Sequence, residues 1–198
     1  MIMKTILNSS PIPERICAID ASTNSLAYAT FHGGYLKEVG KINFQGKDIY
    51  EKVIDAGRKS KGLFEHIVNV DAIVIEHTVF MNSPKTAADL ALVQGALLGA
   101  AGQSGIRTIG KVAPITWQNF MGNKKISKEE KLLIKSQNPG KSESWLKSYE
   151  RDLRKKRTID FINIQYDKSI TDNDVADACG IGYWATKNWN KAIGGSNG

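Results

Sequence analysis

Two short apolar runs of this chain each stop at a single carboxylate: RICAID ends at Asp20, and DAIVIE ends at Glu76. A short apolar run without polar alternation describes a strand covered on both faces, so helices must lie on either side of the sheet that holds it. If the two strands are parallel neighbours, roughly 4.8 Å apart, both acids leave the sheet at the same end. No other feature constrains the fold as tightly.

The rest of the chain supplies the remaining elements. After Asp20 comes a polar turn, TNS, and then LAYATFHGGYLKEVGKINF, which reads as two strands around His32-Gly33-Gly34, making an antiparallel three-stranded meander. Ile49, Val53, Ile54, Leu63, Phe64 and Ile67 give Asp48 to Asn69 a helical period, although Gly57 and Gly62 weaken its middle. A second helix opens at Pro84 and Thr86 and runs to about Gly102, with small residues Gly95, Ala96, Gly99, Ala100 and Ala101 suited to close packing. Arg107 to Val112 forms a further strand, Pro114 starts the next connection, and helical material follows. The order implies an α/β fold: a mixed five-stranded sheet, three antiparallel strands and then parallel additions, flanked by helices. We read a leader at 1–14, one domain at 15–190 and a flexible tail at 191–198.

Charge is concentrated in one place. The net charge is +7 and the pI about 9.3, which suits a nucleic acid or an acidic membrane surface. Between Lys124 and Arg157 stand 12 Lys and Arg against 5 Asp and Glu, a surplus equal to that of the whole chain. Within it, SESWLKSYERDLRKKRTIDFI has helical spacing at Trp145, Tyr149, Leu153, Ile159 and Phe161, with basic residues between, including Arg154, Lys155, Lys156 and Arg157. Confinement to one segment favours a phosphate-contacting surface over a merely solvated face.

Several alternatives are excluded. AADLALVQGALLGAAG is broken by Asp89 and Gln94 and is shorter than the ~18 to 20 residues that span a bilayer, so we read a core helix and no membrane partner. The leader has no secretory pattern, and Cys17 and Cys179 read as buried free thiols, which fits a reducing, cytoplasmic setting. SQNPGKS mimics a phosphate loop, but its earlier glycine position is Lys135, so it is a turn before a helix with no nucleotide cofactor implied. His32, His66 and His77 pair with no cysteine at zinc spacing, and His77 points away from the face of Glu76.

The segment TDNDVADACGIGYW places Asp174 and Asp177 three apart on one face of a last helix, with Asp172 or Asn173 as its cap. An acid or two in a first turn answers the helix dipole. More than that, packed against the sheet end holding Asp20 and Glu76, would repel one another without a counter-charge. All-oxygen ligands select Mg²⁺, with Mn²⁺ as a substitute. Asp20, Glu76, Asp174 and Asp177 together therefore point to phosphodiester hydrolysis with two ions per site.

ICAIDASTNSLAYATF, AIVIEHTVFMNSPKTAADLALVQGALLGAA and DVADA resemble the first hairpin, the Glu strand with its loop and helix, and the closing acidic helix of the RuvC-type Holliday junction resolvases, within the RNase H-like superfamily. The resemblance spans Arg15 to about Trp184 and suits a viral or phage branch. It implies a homodimeric, Mg²⁺-dependent endonuclease that nicks four-way DNA junctions, a branched-DNA partner, and Asp20, Glu76, Asp174 and Asp177 as the metal-binding positions. It also implies that Phe80 stacks on a base and that Lys124 and Lys125 form a basic loop near the scissile phosphate. Two departures stand beside the first acid: Ala21-Ser22 replaces the family's Pro-Gly, and Ala27 replaces a glycine. Two other readings stay open, a nuclease of the same fold acting on forked or flapped DNA or RNA/DNA hybrids, and a non-catalytic nucleic-acid-binding domain. DNA binding has no use for clustered carboxylates, which weighs against the second.

Overall fold

The structure, a computed structural model, describes residues 11–67, 69–77 and 83–194. Strands β1 (Arg15–Ala21), β2 (Ser25–His32) and β3 (Tyr35–Asn43) form the antiparallel meander. Gly33 and Gly34 join β2 to β3 with φ of 57° and 85°, the left-handed values that a two-residue hairpin turn demands. The turn after β1 is closed by a side chain instead: the Ser22 hydroxyl accepts from the N–H groups of Asn24 and Ser25 and donates to the Ser25 carbonyl. Ala21-Ser22 thus makes its turn without glycine.

Helix α1 (Ile49–His66) starts at Asp48, whose carboxylate accepts from the Glu51 N–H at 2.9 Å. Strand β4 (Ala72–Glu76) then lies parallel beside β1, with Ile19 opposite Ile75. Helix α2 (Pro84–Gln103) leads to β5 (Thr108–Val112), parallel to β4 on the outside, which completes the sheet order β3-β2-β1-β4-β5. Helices α3 (Pro114–Phe120), α4 (Lys128–Gln137), α5 (Glu143–Tyr166) and α6 (Asn173–Gly194) follow.

Strand alternation splits the core into two layers. Cys17, Ile19, Tyr28, Ile73 and Ile75 pack with Leu63, Val93 and Leu97 of α1 and α2. Ile16, Ala18, Ala27, Ala29 and Val74 pack on the other side with Ala178, Ile181, Trp184, Ala185 and Trp189 of α6. The same parity carries Asp20 and Glu76 onto the α6 side, because each follows Ala18 or Val74 by two residues. Approach there is close: a Cβ on Gly182 would lie 2.0 Å from the Phe31 ring.

Two sequence readings are corrected. Tyr149 is not part of a buried stripe on α5; it is 40% exposed, and the helix buries Leu146, Thr158 and Ile162 instead. The first half of α5 packs on α4 around Ile126, Ile134 and Leu146 rather than on the sheet, which rotates its buried face away from Tyr149. Nor does the tail begin at 191: α6 continues to Gly194, and Ala192 is buried under the sheet. In the SQNPGKS stretch Ser136 and Gln137 end α4, the turn follows at Asn138–Gly140, and Ser142 caps α5 by accepting from the Trp145 N–H. Cys17 and Cys179 are buried and unpaired, and no helix among the described residues is long and apolar enough to cross a membrane.

Candidate active site

Asp20 lies one residue past the Ile19–Ile75 pair, so it sits at the same end of the sheet as Glu76 on the neighbouring parallel strand. Helix α6 brings its N-terminal turn to this end. Asp172 is the cap: its Oδ1 accepts from the N–H of Asp174 at 2.8 Å and of Val175 at 3.2 Å. Asp174 and Asp177 follow on the turn above, both half-buried.

Burial acts on three of these acids, and repulsion adds to it on two. Asp20 titrates well above the ordinary carboxylate range, through burial first and then repulsion from Glu76, Asp177 and Asp174, with Lys41 opposing. Asp177 is pushed up to about 7 by burial and then by Glu76 and Asp174, against the pull of Lys155 and Arg154. Burial also raises Glu76, against a hydrogen bond from Trp117 that lowers it. Burial thus disfavours the ionised form of Asp20, Glu76 and Asp177, and repulsion among the acids adds to it at Asp20 and Asp177.

Three partners of the acids carry no sequence signature. Asp20 pairs across the sheet with Ala27, and Ala27 with Lys41 of β3, so these residues form one lateral row on one face. With only a methyl between them, the Lys41 ammonium reaches the acidic side and forms ion pairs with Asp174 at 2.6 Å and Asp172 at 3.0 Å. The buried Trp117 of α3 donates its indole N–H to Glu76 Oε2 at 2.6 Å, and Gln94 of α2 donates to the Glu76 main-chain carbonyl at 3.0 Å.

The basic segment divides into two faces. Arg154 and Lys155 line a cavity of about 350 Å³ together with Lys147, Arg151, Gln118 and Asp177. Lys156 instead pairs with Asp160 at 2.8 Å, and Arg157 pairs with Glu130 of α4 at 2.6 Å, so both point elsewhere. Lys147 and Arg151 escaped the sequence reading, although their spacing with Lys155, four residues at each step, is the signal that one helix face carries all three. Asn123, also missed, is buried and donates to the Arg154 carbonyl at 2.8 Å and to Thr158 Oγ1 at 3.0 Å, which fixes α5 beside α3. Lys124 and Lys125 follow Asn123 in an exposed loop and do not line the cavity. Phe80 lies outside the described residues.

The donor set is chemically that of a hard divalent cation, being oxygen-only, anionic and short of counter-charge. The side chains as placed are not yet a coordination shell: among the described residues, no three His, Cys, Asp or Glu groups stand together as ligands. Lys41 holds Asp174, and Trp117 holds one oxygen of Glu76.

No family model matches the chain, and no curated protein matches it in sequence. Solved structures do. The RuvC of T. thermophilus in complex with a Holliday junction substrate aligns with a TM-score of 0.60 at 12% identity, over 88% of this chain and 96% of that one. A second Thermus thermophilus RuvC structure aligns at 0.58 and 12% identity, over 87% and 96%. The yeast mitochondrial Holliday junction resolvase Ydc2 aligns at 0.51 and 14% identity, over 93% and 83%. At these identities the likeness is one of architecture, and the chain accordingly has the RNase H-like fold shared by the RuvC-type resolvases.

Proposed function

We propose that this chain is a structure-selective endodeoxyribonuclease that nicks four-way DNA junctions. The observation that carries the reading is the cavity that Lys147, Arg151, Arg154 and Lys155 line together with Glu150 and Asp177, four cations against two acids. A strand whose phosphates follow these cations is led to the acids, and non-specific phosphate contacts of this kind supply most of the affinity for DNA. The fold is that of a protein solved with a Holliday junction substrate, which favours a branched over a linear partner.

Asp20, Glu76, Asp174 and Asp177 are the residues that would hold Mg²⁺ or Mn²⁺, two ions being the arrangement that serves phosphodiester hydrolysis. When bound, the cations supply Lewis acidity at the phosphate and neutralise charge that develops there. The chain's own groups do the rest. Asp20 and Asp177, whose protonated forms burial and repulsion favour, would release those protons on holding a cation. Lys155 and Arg154 hold the substrate phosphate against a pocket that would otherwise repel it. A junction has two symmetric strands to cut, so we infer a homodimer with one site per subunit.

The test is Asp20→Asn, assayed beside the wild type on four-way junction, fork, flap and RNA/DNA hybrid with Mg²⁺. Nicking of the junction should fall by at least about 100-fold, while binding in the absence of metal is retained, because the substitution removes a ligand and leaves the basic face intact. Undiminished cleavage in this variant refutes the mechanism, and a wild type that prefers hybrid or flap refutes the substrate.

A further inference from the structure

Glu76 has more rotatable bonds than the aspartates around it, and something must choose its rotamer if a strand-end carboxylate is to serve as a ligand. Trp117 is placed to do so. Its side chain is 0% exposed, and its Nε1–H donates to Glu76 Oε2 at 2.6 Å, so Oε1 is the oxygen left for another partner. The far side of the indole lies on α6 at Gly180, where a Cβ would meet the ring at 2.7 Å and Met121 at 2.9 Å. Gly180 is three residues, one helical turn, beyond Asp177. A single buried ring thus touches the strand-end acid at one edge and, at the other, the helix that carries two more acids.

We propose that Trp117 is a positioning residue of the site: its N–H fixes the Glu76 carboxylate, and the bare backbone at Gly180 lets the ring set the spacing between β4 and α6. The inference rests on the metal-dependent reading above. Hydrogen-bond partners that orient a metal-binding carboxylate typically change metal affinity about 10- to 100-fold when removed. A tryptophan that merely filled the core would lower stability when replaced by phenylalanine, which removes the donor and leaves a smaller ring, but would not change Mn²⁺ affinity.

Two measurements on the full chain decide it. In ¹⁵N-labelled, metal-free protein, the indole resonance that disappears in Trp117→Phe is expected to be protected from exchange in the wild type. In Glu76→Leu it should shift and lose that protection, while the resonances of the other three of the 4 tryptophans move less. An unmoved resonance overturns the proposal. Second, Mn²⁺ affinity and junction nicking are measured for wild type and Trp117→Phe. We expect Mn²⁺ to bind about 10- to 100-fold more weakly in the variant, nicking to recover at saturating Mn²⁺, and metal-free DNA affinity to be unchanged. Equal Mn²⁺ affinity overturns the role of Trp117 and leaves the proposed function standing. A wild type that neither binds Mn²⁺ nor nicks junctions overturns the proposed function, and the positioning role with it. If Trp117→Phe lacks a cooperative melt, Gly180→Ala, which pushes a Cβ into the ring, is read by the same criteria.

Discussion

Replacing Asp177 with asparagine should stabilise the metal-free protein above neutral pH. Burial, then Glu76 and Asp174, raise this carboxyl from 3.8 to about 7. The folded chain therefore binds the proton more tightly than the unfolded chain. Between about pH 4 and 7 the unfolded state deprotonates first, and stability falls as pH rises until the folded group has ionised too. At about 1.4 kcal/mol for each pH unit of difference, the loss has a ceiling of about 4 kcal/mol. Partial exposure and repulsion shared with the neighbouring acids reduce it to about 2 kcal/mol. Asparagine carries no such penalty. Thermal melts of both proteins without divalent ions, from pH 4 to 9, should coincide at the acid end, separate through neutrality and then run parallel. The variant should melt about 4–8 °C higher on that plateau, given the size of the chain. Millimolar Mg²⁺ at pH 8 should raise the wild type and leave the variant nearly unmoved. Superimposable pH profiles would show that Asp177 is not crowded by other carboxylates, and the electrostatic case for the site would fail.

Two further outcomes follow from the same geometry. Changing Lys147, Arg151 and Lys155 together to glutamine should flatten the dependence of log K for junction binding on log salt by about 3, from 0.9 per phosphate contact, whereas changing Lys156 and Arg157, which are paired with Asp160 and Glu130, should flatten it less. A larger effect from the second set would place the DNA on the other face of α5. Lys41→Met should tighten Mg²⁺ binding by about 2- to 10-fold, because the ammonium now occupying Asp174 competes with the cation for the same oxygens. Calorimetry at low salt measures this directly, and weaker binding in the variant would mean that Lys41 assists the site rather than competing for it.

The element order was readable because strand and helix leave different periods in the chain. Asp20 and Glu76 were recognisable as strand-end acids because each closes an apolar run, and Asp174 and Asp177 because an interval of three on a helix is a shared face. The parallel pairing of β1 with β4, which makes neighbours of two acids far apart in sequence, was a condition of that reading, and the tertiary structure met it. Trp117 and Lys41 were not readable. Nothing near Trp117 says that a core indole will find a carboxylate on another strand, and Lys41 looks like any polar residue of an exposed edge strand. Phe80 had a role only by resemblance.

The basic helix marks the division most clearly. Its charge was plain in the linear order, and local spacing alone places Lys147, Arg151 and Lys155 on one face. Which face meets the acids, and which is consumed by Glu130 and Asp160, depends on how α5 rolls between α4 and α6. Periodicity along a chain encodes which residues share a surface. It does not encode which surface turns inward, because that is set by packing against elements distant in the sequence, and here by the buried Asn123 that ties α5 to the end of α3.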